Sequence, residues 1–225
     1  MKLTVICNAG ILLEKDGFGL LIDGISRDHV GFSGLDNGQY ADILQKNGIF
    51  SSCSALIFTH CHPDHYDAER VQVAQRELNT CRFFIPDGQT PASGTMQFGP
   101  FAVGYRETPH MIHNGDPVRH FVFLICDGER QLYIASDSLP DARMHREILR
   151  GVQPDAIFVN PVHLSTPDTK AWLLELAPKH TVVYHIPIDP ADQTGMRRKA
   201  MRTAARDFHT SVTLVTEHPM DLGEI

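Results

Sequence analysis

Short apolar runs separated by glycine and charged turns open the chain. Residues 3–8, 11–14 and 19–23 are rich in β-favouring side chains, and they predict an antiparallel meander. The polar, glycine-rich stretch 24–40 leads to a short helix near 41–46, after which 55–58 returns as a buried strand. Asp67 is suited to cap a helix, and Ala68, Val71, Ala74 and Leu78 follow it at helical spacing. Further strands are predicted at 82–85, 95–98, 102–106, 121–126, 132–135, 156–159 and 181–184. Helices are predicted at 141–149, 167–176 (Thr166 as cap, Pro167 first) and 190–207 (Asp189 as cap, Pro190 first). Strands thus come first in runs and later alternate with helices, an α/β or α+β pattern that suits two packed sheets with helices outside. No repeat, low-complexity tract or linker divides the chain, so one domain over 1–225 is expected.

Composition narrows the class. Of 225 residues, 42% are hydrophobic and 21% charged, which predicts a folded globular chain rather than a disordered one. The formal net charge of −7 argues against a nucleic-acid or anionic-membrane binder, since phosphate affinity needs clustered Lys and Arg. The first residues meet Asn8 and Gly10 too soon for a secretory leader, and no apolar run has membrane-spanning length, so a cytoplasmic protein is expected. Five cysteines without C-x-x-C spacing, mostly in strand-like stretches, are read as buried free thiols of a reducing compartment. The thirteen histidines are the unusual total, and histidine is a common metal ligand.

Their positions carry the chemistry. Thr59-His60-Cys61-His62-Pro63-Asp64-His65 offers four ligating side chains directly after a predicted buried strand. Side chains alternate along extended backbone, so His60 and His62 can face one way. A turn at Pro63 can then bring Asp64 and His65 to a neighbouring point. One segment can serve two adjacent cations, with Cys61 facing away from them.

This motif resembles that of the metallo-β-lactamase superfamily, and the resemblance runs over nearly the whole chain. It implies a four-layer αββα sandwich and three further ligands at strand ends. The matching stretches are Thr108-Pro109-His110-Met111-Ile112-His113, Tyr133-Ile134-Ala135-Ser136-Asp137 and Val182-Val183-Tyr184-His185. On this resemblance His60, His62 and His113 hold one cation, Asp64, His65 and His185 hold the second, and Asp137 bridges them. His113 is preferred to His110 on family spacing, which would leave His110 solvated or outside the ligand set. Two divalent cations are implied, with zinc favoured and manganese or iron compatible with the same ligands. They would activate a bridging hydroxide, with Asp64 and Asp137 essential to the chemistry.

The residues Tyr66-Asp67-Ala68 depart from the glycine that follows the motif in glyoxalase II and many homoserine lactonases. Together with Asn160-Pro161-Val162 and Ala177-Pro178-Lys179-His180, they look most like the ascorbate-6-phosphate lactonase-like branch. An ester or lactone of a small metabolite is therefore the expected substrate. A phosphodiester is the alternative, and a catalytically silent metal-binding protein is a third. Asn160 and His163 are candidate substrate contacts, though ordinary loop polarity would explain them as well. Arg198, Arg202 and Arg206 share one face of the last helix and are read as a solvated face rather than an anion site. The stretch 24–40, with His29, Phe32 and Tyr40, either covers the site or merely connects two elements. The sequence leaves the oligomeric state open.

Overall fold

The computed structural model describes residues 1–29, 31–111, 118–187, 192, 195–208 and 212–224. The opening meander forms β1 (Lys2–Val5), β2 (Ile11–Lys15) and β3 (Phe18–Ile22), each antiparallel to the next. Next to β3 lies β4 (Cys53–Ile57), parallel to it, followed by β5 (Arg82–Phe84), parallel to β4. A second meander runs through β6 (Ser93–Phe98), β7 (Phe101–Thr108), β8 (His120–Cys126) and β9 (Gln131–Ser136). It continues into β10 (Ala156–Val159), β11 (His180–Val183) and β12 (Val212–Leu214), all parallel to β9. Finally β13 (Met220–Glu224) pairs with β1 and closes the edge of the first sheet.

The two-residue period of the strands decides the layers. In β9 and β10, Leu132, Ile134, Ala156 and Phe158 join Leu3, Val5, Ile11 and Ile22 of the first sheet in one dry core between the sheets. The alternate residues Tyr133, Ala135, Ile157 and Val159 face outward. They are covered by α3 (Ala142–Leu149), α4 (Pro161–Ser165), α5 (Pro167–Leu176) and α6 (Met196–Asp207) through Leu149, Leu164, Trp172 and Ala204. On the far face of the first sheet, α1 (Asn37–Gln45) and α2 (Ala68–Glu77) contribute Ile43, Val71 and Ala74. The result is the αββα order of layers.

Several boundaries differ from those expected. Helix α1 starts earlier, at Asn37, because Asp36 and Gln39 form a reciprocal capping box. Helix α6 starts later, at Met196: Gly195 has φ 72°, outside helical geometry, and the Asp192 carboxylate accepts from the Arg198 amide. The expected start at Asp189 and Pro190 lies outside the described residues. Helix α4 is additional to the expected helices, with Asn160 as cap and Pro161 at the first position. Strand β12 has only three residues and β13 is mostly exposed, so their pairing is what reveals them.

The cysteines also depart from expectation. All five are free, but only Cys7 and Cys53 are buried, while Cys81 and Cys126 are half-buried and Cys61 is exposed. No helix among the described residues is long and apolar enough to cross a membrane.

What the topology achieves is a shared edge. Strands β3 and β4 run parallel, and so do β9, β10 and β11. Strand β7 is antiparallel to β8, which is antiparallel to β9, so β7 shares the direction of β9. The two sheets are stitched there by the Phe121 amide donating to the Thr59 carbonyl (2.8 Å) and the His185 amide donating to the Asn8 carbonyl (3.1 Å). The segments after β3, β4, β7, β9, β10 and β11 therefore converge, where open sheets commonly place their chemistry.

Candidate metal centre

The motif follows β4 and folds as the sequence suggests. The His62 carbonyl accepts from the amides of both His65 (2.9 Å) and Tyr66 (2.8 Å), closing a tight turn around Pro63. His60 and His62 end with their rings 4.9 Å apart, and the turn sets the His65 ring 4.0 Å from that of His60.

The downstream residues arrive from the second sheet. Pro109 to Met111 runs beside Asp137 to Leu139: the Met111 amide donates to the Asp137 carbonyl and the Leu139 amide to the Pro109 carbonyl, with an isolated bridge between His110 and Ser138. This pairing brings the His110 ring within 4.6 Å of His62 and 4.8 Å of His60. His110 is only 7% exposed, so the alternative that it stands solvated is corrected. His113, preferred on spacing, lies outside the described residues.

Three groups of donor atoms result, each within 4.8 Å: His60, His62 and His110; His60, His65 and Asp137; and Asp64, His65 and His185. Asp137 stands between the outer two. Its Oδ2 lies 3.3 Å from His65 Nε2, 3.5 Å from His185 Nε2 and 3.9 Å from His110 Nε2. His185 Nε2 is also 3.1 Å from Asp64 Oδ2.

Asp23, which the sequence reading passed over, organises this cluster. Wholly buried at the end of β3, its carboxylate accepts from the Thr59 amide (2.7 Å), the Thr59 hydroxyl (2.6 Å) and His65 Nδ1 (2.9 Å). Because the Thr59 hydroxyl proton is given to Asp23, the 3.0 Å contact of Thr59 Oγ1 with His60 Nδ1 must be donated by the imidazole. His60 Nε2 is left with a bare lone pair, buried and without a hydrogen-bond partner. A carboxylate behind one ring and a hydroxyl behind the other fix tautomers suited to metal ligation. A lone Asp after an apolar strand gave no signal, because its partners are 36 and 42 residues away.

The backbone is bent to deliver these groups. Asp23, Ser136 and His185 have φ of 49°, 49° and 57°, left-handed values that cost non-glycine residues on the order of 1 kcal/mol each. Asp23 directly follows β3, Ser136 ends β9 and His185 lies two residues past β11, and each turns the chain towards the cluster.

Electrostatics agree with a site short of positive charge. Burial pushes the His60 imidazole well below its ordinary range, and His65 adds to this. Burial also opposes charge on His65, but the Asp23 carboxylate, with Asp137, holds that ring well above the usual range. Burial would raise both acids, yet the His185 hydrogen bond and the His65 charge hold Asp64 down to about 2, and His185 and His65 hold Asp137 well below a normal carboxyl. In the metal-free cluster protons on histidine do what cations would do better. Orphaned imidazole nitrogen, buried carboxylates and absence of thiolate fit a site for hard or borderline divalent metals. Cys61 indeed faces away, its Sγ 3.7 Å from the Pro86 carbonyl, but at the surface rather than in packing.

Asn160 and His163 are both buried, at 1% and 0% exposure. Asn160 donates to Asp137 Oδ1 (3.0 Å). His120, unanticipated, lies buried behind the ligands with its ring 5.1 Å from His60, and Nδ1 contacts the Thr108 hydroxyl. The stretch 24–40 does more than connect. The Arg27 amide donates to the Pro63 carbonyl and the Asp67 amide to the Ile25 carbonyl, and Phe32 packs edge-on against His185 at 4.3 Å. Tyr40 points elsewhere, its hydroxyl donating to the Arg70 carbonyl.

No protein-family model matches the chain, and no curated protein matches it significantly. Solved structures do. A possible metal-dependent hydrolase from Veillonella parvula superposes with a TM-score of 0.68 at 13% identity, covering 99% of this chain and 98% of that one. The metallo-β-lactamase fold protein YhfI from Bacillus subtilis gives 0.66 at 16%, again over 99% and 98%. CmlA, a diiron β-hydroxylase from Streptomyces venezuelae, gives 0.63 at 14% over 99% of this chain, which spans 54% of that protein's length. The chain therefore has the metallo-β-lactamase fold. Such a likeness defines architecture, and the chemistry has to be argued from the site.

Proposed function

We propose that this chain is a metal-dependent hydrolase that works with two divalent cations. The observation that carries the reading is the pair of donor groups, His60-His62-His110 and Asp64-His65-His185, on either side of the single Asp137 carboxylate. A purely structural site would be closed by four ligands and would need no carboxylate shared between two sets. When bound, two cations lower the pKa of a shared water towards neutrality and act as Lewis acids on the bond to be cleaved.

The chain's own residues orient and hold. Asp23 and Thr59 set the rings of His65 and His60, Asp64 and Asp137 balance the cationic charge, and Phe32 covers one side of His185. The nitrogen and oxygen donors favour zinc, with manganese or iron compatible. His110 takes the place of the third histidine in the first set, on its contacts with His60 and His62. The substrate proposed is an ester or lactone of a small metabolite, of the kind cleaved in the ascorbate-6-phosphate lactonase-like branch. The residues Tyr66-Asp67-Ala68 and Asn160-Pro161-Val162 support it.

The test is elemental analysis of protein purified without chelator, followed by a screen of lactones, thioesters and phosphodiesters on the metal-replete chain. About two equivalents of metal and lactone turnover are expected. One equivalent or less under replete conditions overturns the two-cation reading. Turnover of phosphodiesters alone would replace the substrate class.

A further inference from the structure

Asn160 caps α4, and its amide orientation is fixed by what it accepts. Oδ1 takes the amide protons of Val162 (2.9 Å) and His163 (3.3 Å), and lies 3.0 Å from His163 Nδ1. An amide oxygen only accepts, so His163 carries its proton on Nδ1 and its bare Nε2 accepts from the Ser138 hydroxyl at 3.3 Å. Burial supports that neutral tautomer by pushing the imidazole down to about 3. With three N–H groups on its oxygen, the side chain cannot turn over, and Nδ2 is obliged to face Asp137 Oδ1 (3.0 Å) and the Ser136 carbonyl (3.1 Å).

The carboxylate of Asp137 is therefore divided. Oδ1 is taken by Asn160, whereas Oδ2 is the atom that His65, His110 and His185 surround. We infer that Asn160, locked by His163, is a positioning residue that presents one oxygen of Asp137 to the cations and withholds the other. This rests on the two-cation reading above. In this role both residues act through the carboxylate, Asn160 directly and His163 through Asn160. Partners of this kind behind a metal ligand typically alter metal affinity 10–100-fold when removed.

The experiment titrates metal-free protein with cobalt(II), measuring affinity by competition with a chromophoric chelator and ligand geometry by visible absorption. Asn160→Ser keeps a good helix cap but is too short to reach Asp137. It should lose about 10–100-fold in affinity and shift the cobalt spectrum. His163→Phe leaves the cap intact and removes only the lock, so a smaller change in the same direction is expected. His163→Gln, which restores a donor, should recover part of it. Circular dichroism of the metal-free chains reports folding, and if Asn160→Ser does not fold, His163→Phe decides. Wild-type affinity and spectrum in the folded variants overturn the inference, as does loss of fold in both, which would make the pair purely structural. A wild-type chain that binds no cobalt overturns the two-cation reading, and this inference with it.

Discussion

The carboxylates of the centre face a balance of charge that neutral isosteres cannot meet. Asp64→Asn and Asp137→Asn keep size and shape but remove negative charge from between imidazoles that would share two dications. Each should lower hydrolysis by about 100-fold or more, on the scale by which removing ligand partners alone costs 10–100-fold, while circular dichroism stays unchanged. Retained turnover with unchanged metal content in both would sink the proposed chemistry. A second consequence concerns protons. The Asp23 charge outweighs burial and keeps His65 protonated well above its ordinary range in the metal-free fold. A metal must displace that proton, so affinity should rise with pH and fall as acid is added. Calorimetric titration in buffers of different ionisation enthalpy should register net proton release on binding; no release would contradict the assigned state of His65.

Among the elements, the loop after β3 shows how backbone packing serves the site. A side-chain carbon on Gly34 would lie 2.3 Å from the Arg27 carbonyl carbon and 2.5 Å from its Cα, both rigid backbone. Arg27 is tied to the Pro63 carbonyl within the metal loop, and Phe32 on the same stretch packs against His185. Gly34→Ala should therefore displace the cover, lowering thermal stability by about 1–3 kcal/mol, the usual cost of overpacking, and weakening metal binding as well. Differential scanning calorimetry with a chelator competition would separate the two effects. Normal behaviour in both would show that the loop is a plain connection.

For the molecule as a whole, the fold and the metals should be separable. The core between the sheets is built from fully buried side chains such as Ile22, Ile57, Phe121, Ile134 and Phe158, and it owes nothing to the ligands. Stripping metal with chelator should leave the far-UV spectrum intact, whereas Phe158→Ala should cost about 3–5 kcal/mol in denaturant unfolding. Collapse on chelation would make the cations structural instead. Acid should act through the opposite layer. His145 and His163 are neutral in the fold because burial pushes them down to about 4 and about 3. In the unfolded chain each binds a proton near pH 6.5, so the unfolded state gains protons first and stability falls as pH drops from about 6.5 towards 4. Urea midpoints that stay flat across that window would show that these rings are not held neutral.

The sequence by itself determined most of the elements and the local motif at the heart of the centre. Short apolar, β-favouring runs located the strands of both meanders, Asp67 and Thr166 with Pro167 marked helix starts, and His60 to His65 stood out because four ligating residues sit within one local turn. Local signals carry that far because backbone alternation and capping act over a few residues. The tertiary structure alone decided the rest. It placed His110 against His60 through a bridge to Ser138, set Asp23 behind His65 from 42 residues away, and brought Asn160 to Asp137 with His163 against the Asn160 amide oxygen. Spacing along the chain cannot rank one histidine of a loop against another three positions on. That choice depends on which segment runs beside the end of β9, and the pairing between sheets that fixes it is long-range.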